Sequence, residues 1–269
     1  MTPRLKRIRV FPLKSLDPLE LESVGIASGI CLDGDREFAL ADAAGRTMNA
    51  KRLGAAILSI RATYSNAGRM VRLEQGAHRG EFDLDGGGVG MEGWFGRVLG
   101  CRVSLSRSAR AGHPDDEVAS GPTVVGSASI AAVSDRFGLP EEEVRRRFRA
   151  NLEIDGLQPF EEDLLFGPPG SPRRFRIGEV EFLGTNPCRR CVVPTLDSLG
   201  GTAGGRLSAR RFAEFRERYA FPGTQAARYK GYYRFAVNTR LPPGQAGREL
   251  RVGDPLTLHP ENRSIVASD

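Results

Sequence analysis

The sequence lacks any long apolar run, and no segment approaches the roughly 20 residues that a membrane-spanning helix needs. The N-terminal segment MTPRLKRIRVFPLKS carries basic side chains but has no apolar core and no small-residue cleavage site. We therefore expect a strand there and not a signal peptide. These features predict a cytoplasmic protein that does not associate with a membrane.

Cysteine is also scarce, with four in 269 residues. A chain of this length with so few cysteines is not a disulfide scaffold. Its hydrophobic content of 40% and charged content of 27% are those of an ordinary globular protein. The length is sufficient for one large domain or two small ones with a substantial core.

Lysine is rare, so the positive charge comes almost entirely from arginine. Only four of the 39 basic residues are lysines, and the net charge is +6. The basic residues are spread along the chain among acids, without a basic tail, an RNA-binding aromatic motif or zinc-finger spacing. We therefore expect no nucleic-acid partner, and attribute the charge to an arginine-rich bias plus one anion-binding pocket. A nucleic-acid-binding β-barrel remains as the least favoured alternative.

The first hundred residues consist mainly of short, often alternating segments separated by turns such as Asn66-Ala67-Gly68. Strands at this spacing predict a barrel or a sandwich. The predicted segments are RIRVFPL, LESVGIAS, REFALADAAG, AILSIRATYS, MVRLEQG and GEFDLD.

Helices are predicted where apolar residues recur at helical spacing or where the ends are favourable, over 91–99, 127–137, 139–148 and 209–218. The third begins with a proline and three acids and ends in arginines, which suits the helix dipole. A polar stretch over 106–118 predicts a domain boundary or a long crossover.

Strand patterns return in NLEIDG, RFRIGEVEFLG and CVVPTLD. The C-terminal segments RYKGYYRFAVNTRL and RELRVGDPLTL are predicted to form a final antiparallel pair. The mixture of elements predicts two β-rich domains with a few helices, not a series of βαβ units.

The most informative segment is Cys188-Arg189-Arg190-Cys191, which follows a predicted strand. A thiolate is a nucleophile and a ligand for soft metals. Adjacent guanidinium groups favour the thiolate and bind phosphate through two hydrogen bonds. One short loop could therefore hold a metal and also the phosphate of the group that carries it.

Three other interpretations of the cysteine pair stay open. A structural zinc site needs four ligands, but Cys31 and Cys101 form no second close pair and the histidines show no ligand spacing. A thioredoxin-like redox pair should begin a helix, whereas Val192-Val193-Pro194 predicts a strand. The two cysteines could also be buried and inert.

Other polar residues stand where predicted strands or helices begin or end. Lys14 and Ser15 follow the first strand, and such a pair can bind an oxyanion. Arg36 precedes a strand, and Arg149 and Asn151 lie where a helix is succeeded by a strand. Each of these taken alone would most simply be a surface or salt-bridged residue.

Together, the segments FPLKS, GDREFALADAAG, FRANLEIDG, NPCRRCVVPTLD and VGDPL occur in the order expected of the MOSC family, named after the C-terminal domain of molybdenum cofactor sulfurase. The resemblance covers nearly the whole chain. It is strongest toward the amidoxime-reducing component and its bacterial relatives. It implies a β-rich α+β fold, with an N-terminal β-barrel domain over 1–105 and a MOSC β-barrel domain with a few short helices over 106–269.

The resemblance implies that the chain binds molybdenum cofactor, that is, molybdenum on molybdopterin. Cys191 would be the metal ligand and the catalytic residue, whereas Cys188 would not be a ligand. Contacts to the pterin or its phosphate would come from Lys14, Ser15, Arg36, Arg149, Asn151, Arg189, Arg190 and Tyr233. Hydroxyls near the start of a helix, at Thr123 and Ser127, are further candidates.

The function that the resemblance implies is reduction of N-hydroxylated small molecules such as amidoximes. The sequence shows neither an aminotransferase-like domain nor a ferredoxin domain. We therefore expect no pyridoxal phosphate, and electrons from a separate ferredoxin-, flavin- or cytochrome-type donor. The alternative is a non-catalytic carrier of molybdenum cofactor or of sulfur.

Overall fold

The computed structural model describes residues 2–27, 30–200 and 206–258. In this part of the chain, the strands are β1 (Arg4–Val10), β2 (Leu19–Leu21), β3 (Ser23–Ala27), β4 (Cys31–Leu32), β5 (Phe38–Ala41), β6 (Thr47–Met48), β7 (Arg61–Ser65), β8 (Met70–Gln75), β9 (His78–Asp83), β10 (Ser104–Arg107), β11 (Val124–Gly126), β12 (Leu152–Asp155), β13 (Arg173–Ile177), β14 (Val180–Arg189), β15 (Arg234–Arg240), β16 (Glu249–Arg251) and β17 (Leu256–Leu258).

The α-helices of the same residues are α1 (Ala50–Leu53), α2 (Ala55–Leu58), α3 (Met91–Leu99), α4 (Ser127–Phe137), α5 (Glu141–Phe148) and α6 (Ala209–Arg218). Short 3-10 helices occupy Asn66–Gly68, Glu161–Leu165, Val193–Thr195 and Ala226–Tyr229. The helices predicted over 91–99, 127–137 and 209–218 are confirmed, as is a β-rich α+β fold. Among the described residues, no helix has the length and apolarity required to cross a membrane.

The largest sheet has eight strands in the order β17-β13-β14-β15-β11-β12-β1-β2. Within it, β14 and β15 form an antiparallel pair in which Pro187 lies opposite Val237 and Arg189 opposite Arg234. The register shifts twice along this pair, and such irregularities reorient side chains at the end of a ladder. Smaller three-stranded sheets have the orders β10-β5-β6, β16-β3-β4 and β7-β8-β9.

The core consists of three apolar clusters. The first lies against the large sheet and joins residues distant in sequence, such as Ile8, Leu152 and Phe182. The second fills the N-terminal part around Phe38 and Phe95. The third packs α4, α5 and α6 together through aromatic rings, with Phe148 and Phe212 at a centroid distance of 5.1 Å.

Hydrogen bonds and packing cross the predicted domain boundary near residue 105. Strand β1 pairs with β12, and β3 pairs with β16. In the opposite direction, Val193 belongs to the apolar cluster of the N-terminal part. The assignment of domains to 1–105 and 106–269 stays a prediction, and the structure shows that the two segments share a sheet and a core.

One predicted strand is wrong in its first half and another at its centre. In AILSIRATYS, residues 61–65 form β7 as predicted, but the residues before them do not. Residues 55–58 form α2, since a short run rich in alanine and leucine suits a helix as well as a strand. Val193–Thr195 forms a 3-10 helix after Cys191. Pro194 has no N–H to donate to a strand ladder, and its fixed φ suits a helical turn.

The predicted pairing of the two C-terminal segments is also wrong. Strand β15 pairs with β14 and β11, β16 pairs with β3, and β17 pairs with β13. Leu250 of β16 and Leu256 of β17 are buried in the first core cluster. The choice of partner strand follows this shared burial, which neighbours in the sequence do not reveal.

Candidate functional site

A cavity of about 520 Å³ lies where the end of β1, the segment after β10, the end of α5 and the end of β14 converge. This volume is within the range of about 300 to 1,000 Å³ that is typical of small-molecule sites. Seven of the predicted residues line it: Lys14, Ser15, Arg36, Arg149, Arg189, Arg190 and Cys191.

The Cys191 thiol is half-buried at the wall of this cavity. Cys191 lies two residues beyond the last residue of β14, and the preceding backbone N–H of Arg190 donates to the Tyr233 carbonyl. On its other side Cys191 packs against the N-terminal core cluster. The strand end and the core thus hold a free thiol at a fixed place beside the cavity.

Cys188 lines the same cavity and is also a free, half-buried thiol. The Nη1 of Arg190 donates to the Cys188 sulfur at 3.0 Å, and its Nη2 donates to the Phe148 carbonyl. Neither cysteine is fully buried, so the part of the alternative that placed both in the interior is wrong. The third nitrogen of this guanidinium, Nε, is buried without a hydrogen-bond partner in the described structure.

Arg149 is a half-buried cation whose charge no carboxylate of the described residues neutralises in an ion pair. Its Nη2 donates to the Leu16 carbonyl at 2.7 Å, and its guanidinium carbon lies 4.2 Å from the centre of the Phe11 ring. Burial, together with the positive charge of Arg36, lowers the pKa of Arg149 to about 10. A partly desolvated cation beside a second cation is a favourable site for an anion.

The carboxylates closest to Arg149 pair with other arginines. Asp35 lies 3.3 Å from Arg36, and it also accepts a hydrogen bond from the Phe11 backbone. Asp17 pairs with Arg61 at 3.2 Å. Because these acids have partners of their own, the cavity keeps an excess of positive charge around Arg149.

Three cavity residues have a left-handed backbone, with φ of 77° at Ser15, 52° at Arg36 and 53° at Arg149. Residues other than glycine rarely adopt this conformation, which costs on the order of 1 to 3 kcal/mol each. Such strain concentrates where a side chain must be held in one place for function. Ser15 also fixes the next wall, since its Oγ accepts from the Ala50 N–H at the start of α1.

Lys14 is buried and contacts the segment after β10. Its Nζ donates to the His113 carbonyl at 2.7 Å and lies 3.1 Å from Asp115, which also pairs with Lys51 at 3.4 Å. Burial lowers the pKa of Lys14, and Asp115 opposes this effect. Burial opposes ionisation of Asp115, but Lys14, Lys51 and Arg36 outweigh it and lower the Asp115 pKa to about 2.

Asn151 and Tyr233, both predicted to contact the cofactor, do not line the cavity as the described residues define it. The Asn151 side chain is buried, accepts from the Thr123 N–H at 3.1 Å and donates to the Arg9 carbonyl at 3.0 Å. Its amide therefore joins three backbone segments. The Tyr233 ring packs on Phe212, and its hydroxyl is buried without a partner. Neither residue is included in the proposed binding set.

Sequence reasoning missed much of the wall opposite Cys191. The polar stretch predicted as a boundary or crossover returns across the cavity and supplies Pro114, Asp115, Asp116, Glu117 and Ala119. Thr123, one of the further hydroxyl candidates, also lines the cavity, whereas Ser127 donates to Glu153. The sequence signal for this wall was limited to Asp115 and Asp116, two adjacent acids that follow Pro114. Other missed lining residues are Asn49, Ala50, Lys51, Gly121, Arg147, Asn186, Val193, Pro194 and Asn238.

A buried polar network holds the segment that follows Cys191. Glu143 and Arg147 of α5 form an ion pair at 2.6 Å, and the Arg147 Nη1 donates to the Pro194 carbonyl at 3.3 Å. Glu143 also accepts from the Ser198 N–H and hydroxyl. Residues 194–198 are thereby attached to the helix whose end carries Arg149, which couples the thiol wall to the cationic wall.

The residues present suit a metal carried by an organic anion, not a metal held by protein alone. Within the described residues, no group of three or more His, Cys, Asp or Glu side chains could hold an ion, which disfavours the structural zinc alternative. The half-buried Cys191 thiol, the buried Arg190 Nε without a hydrogen-bond partner and the Arg149 guanidinium form a set that suits a phosphorylated metal ligand.

Comparison with known proteins finds relatives among the molybdenum cofactor sulfurases. The chain is 32% identical over 116 residues to molybdenum cofactor sulfurase 2 of Culex quinquefasciatus, covering 42% of this chain and 12% of that protein. It is 33% identical over 138 residues to molybdenum cofactor sulfurase of Drosophila grimshawi, covering 50% of this chain and 15% of that protein. The chain thus spans only a small part of these relatives.

Among solved structures, the YUAD protein of Bacillus subtilis aligns over 95% of this chain and 94% of its own, with 11% identity and a TM-score of 0.40. Residues 2–87 match the model of the MOSC N-terminal beta barrel domain, and residues 119–257 match that of the MOSC domain. The second match alone covers half of the chain, so this protein belongs to the MOSC domain family.

Proposed function

We propose that this protein binds molybdenum cofactor, with Cys191 as the metal ligand, and reduces N-hydroxylated small molecules with electrons from a separate donor protein. The observation that carries the proposal is the cavity that joins the Cys191 thiol to the unneutralised Arg149 guanidinium. The names of the two relatives, both molybdenum cofactor sulfurases, support the cofactor.

Different cavity residues would bind different parts of the cofactor. Arg149, Arg36 and Lys14 provide positive charge for the phosphate, and the free Arg190 Nε can donate to it. Cys191 would bind the metal through its sulfur. Ser15 fixes the α1 wall, as described above. When bound, the cofactor supplies two-electron redox chemistry at molybdenum, and the protein supplies orientation and electrostatics.

The overall reaction balances with an external reductant. An amidoxime takes up two electrons and two protons, its N–O bond breaks, an N–H bond forms, and the products are an amidine and water. The donor protein is oxidised by the same two electrons.

The direct test measures reduction of benzamidoxime by cofactor-loaded protein with an artificial low-potential donor. We expect turnover in the wild type and background rates for Cys191→Ala. Cys188→Ala is the matched control, since it removes a thiol from the same cavity wall without removing the proposed ligand. Equal loss in both variants would contradict the assignment of Cys191 as the single ligand.

Loading is measured separately, by metal analysis and by fluorescence of the oxidised pterin. We expect Cys191→Ser to lose molybdenum while Cys188→Ser retains it. This readout does not depend on the choice of substrate. A wild type that contains neither metal nor pterin after expression in a cofactor-producing host would contradict cofactor binding.

The alternative is a carrier that holds molybdenum cofactor, or sulfur for it, without turnover. Two observations support this alternative. The relatives are named molybdenum cofactor sulfurases, and the segment that matches this chain is only 12% and 15% of their lengths. The same cavity residues would serve, since retention does not require catalysis. Tight cofactor binding without reduction of benzamidoxime or of other hydroxylamines would favour the carrier.

A further inference from the structure

We propose that the exposed end of the β14–β15 ladder is the docking surface for an acidic electron-donor protein. We call its residues the basic ladder surface: Arg189 and Arg234 at the ends of the two strands, and Arg228 and Lys230 in the segment that leads into β15. Arg189 and Lys230 are exposed, whereas Arg228 and Arg234 are half-buried. This inference rests on the proposed function, because only a redox protein would need such a donor.

The basic ladder surface is built by the register of the two strands. Arg189 lies opposite Arg234 in the antiparallel pair, so their side chains project from the same face. Arg234 donates to the Pro187 and Gly231 carbonyls at 3.0 and 3.2 Å, and Arg228 donates to the Thr185 carbonyl. Like charges directly opposite one another destabilise a sheet, so this pairing has an energetic cost.

No carboxylate of the described residues compensates this charge in an ion pair. The side chains of Arg189 and Lys230 form neither a hydrogen bond nor an ion pair there, and both residues are exposed. Burial lowers the pKa of Arg234, and the charges of Arg189 and Arg228 add to that effect. Elsewhere the arginines pair readily with acids, as Arg145 does with Glu153 at 2.7 Å. The positive charge here is left for a partner.

The location connects this surface to the proposed metal ligand. Arg189 also lines the cavity, and it precedes Cys191 by two residues. Their α-carbons are therefore within about 7 Å of each other. Val192, the next residue, is an exposed apolar side chain. A protein bound at this place would bring its redox centre next to the cavity.

The chemistry favours a protein over a small anion or a nucleic acid. Arg228, Lys230 and Arg234 lie outside the cavity lining, so an anion held in the cavity would not contact them. Binding of single strands uses aromatic rings as stacking platforms. The nearby Tyr232 ring is stacked on Tyr229 at 5.1 Å instead. Arginine-rich surfaces steer acidic partners and are enriched at protein interfaces.

The electron balance sets how often the donor must bind. Each amidoxime reduced takes two electrons, so a one-electron donor docks and is oxidised twice per turnover, whereas a two-electron donor docks once. A surface that binds through long-range charge suits this use, because such complexes form fast and dissociate easily at physiological salt.

The experiment compares two sets of charge reversals in cofactor-loaded protein. Arg228→Glu/Lys230→Glu changes the basic ladder surface without touching the cavity lining. Lys230→Glu alone is a second variant, because this side chain makes no hydrogen bond or ion pair within the described chain that its loss could disturb. The matched control is Arg97→Glu/Arg136→Glu, which reverses two exposed charges on α3 and α4.

The probes are three acidic proteins, namely a plant-type [2Fe–2S] ferredoxin, a flavodoxin and a soluble b-type cytochrome domain. Calorimetry measures their dissociation constants at ionic strengths of about 0.01 M and about 0.15 M, where the Debye length is about 30 Å and about 8 Å. We expect at least one probe to bind the wild type, more tightly at low salt. The ladder variant should weaken that binding at least about ten-fold, and the control less than about two-fold.

Three results would overturn the docking surface: none of the probes binds at low salt, a bound probe is indifferent to the ladder variant, or the variant loses only binding to a single-stranded oligonucleotide. Failure of the proposed function is recognised separately. Benzamidoxime reduction driven by a small viologen donor needs no docking, so its absence in the wild type contradicts the function and not the surface. We expect the ladder variant to keep the viologen-driven rate and to lose the rate driven by the bound protein.

Discussion

The guanidinium carbon of Arg149 lies 4.2 Å from the centre of the Phe11 ring, and this cation–π contact stands where an acidic partner would usually be found. The Phe11 N–H donates to Asp35, which in turn pairs with Arg36. The backbone of the first strand therefore connects the two arginines that face the cavity. This arrangement fixes the guanidinium groups of Arg36 and Arg149 beside the cavity.

The first prediction concerns Arg149→Met, which keeps the aliphatic stem against Phe11 but removes the charge. We expect cofactor retention to fall by about 10- to 100-fold. The variant loses the hydrogen bonds from the guanidinium to the phosphate, and hydrogen bonds to charged groups contribute about 1.5 to 3 kcal/mol. The thermal stability of the cofactor-free protein should stay equal or rise, since a half-buried cation without a carboxylate partner is removed. Pterin fluorescence and thermal melts measure both. Full loading of the variant would contradict the role of Arg149.

The second prediction concerns Glu143, which holds the segment after Cys191. Glu143→Gln should weaken the contacts to Arg147 and Ser198 and lower the free energy of unfolding by about 1 to 3 kcal/mol. It should also lower molybdenum retention, because residues 194–198 lose their attachment to α5. Glu141→Gln, on the exposed side of the same helix, is the control and should change neither quantity substantially.

The same carboxylate predicts an acid sensitivity. Burial opposes ionisation of Glu143, but the hydrogen bonds from Ser198 and Arg147 outweigh it and hold its pKa below the ordinary 4.5. The stabilisation is thus present above pH 4.5 and is lost as pH falls through the lower pKa of the folded state. Denaturant unfolding between pH 3 and 6 should show a shallower acid-side slope in Glu143→Gln than in the wild type. Parallel slopes would contradict this assignment.

The third prediction concerns Glu162, a buried carboxyl that accepts from the Ser129 hydroxyl at 2.6 Å. Burial, reinforced by the neighbouring Asp163, raises the pKa of Glu162 above 4.5, although Arg216 opposes the effect. The folded state therefore binds a proton that the unfolded state releases, so stability falls as pH rises through 4.5 toward the raised pKa.

Glu162→Gln keeps a hydrogen-bonding side chain and removes this ionisation. We compare the free energy of unfolding of the variant with that of the wild type at two pH values. The variant's advantage should be about 1 to 3 kcal/mol larger at pH 7.5 than at pH 5. Urea unfolding at the two pH values measures the difference. A gain that does not depend on pH would show that Glu162 does not titrate in this range.

The fourth prediction concerns Tyr233, whose buried hydroxyl has no hydrogen-bond partner in the described structure. Burial raises its pKa to about 12, so the hydroxyl stays protonated at neutral pH. Tyr233→Phe removes an unsatisfied polar group and should raise stability by about 1 kcal/mol without changing cofactor loading. If Tyr233→Phe bound less cofactor than the wild type, Tyr233 would contact the cofactor, as the family resemblance implied.

The sequence alone predicted the elements whose signals are local. Helix α6 was predicted at its observed bounds because its apolar residues recur at helical spacing, with Phe212 and Phe215 on the buried side. The resemblance supplied a cavity set of which seven residues do converge, from Lys14 near the N-terminus to Cys191. Local propensity failed for short segments, namely the apolar run at residues 55–58 and the proline-containing turn at residues 193–195.

What the sequence by itself determined is the β-rich class, the main helices and the residue types that suit a thiolate ligand beside a phosphate. Only the tertiary structure decided which strands pair, that residues 114–119 return to form a cavity wall, and that Asn151 and Tyr233 stand outside it. The physical reason is that pairing and burial depend on contacts between residues more than a hundred positions apart, as between β1 and β12. Such contacts leave no periodic pattern in either segment alone.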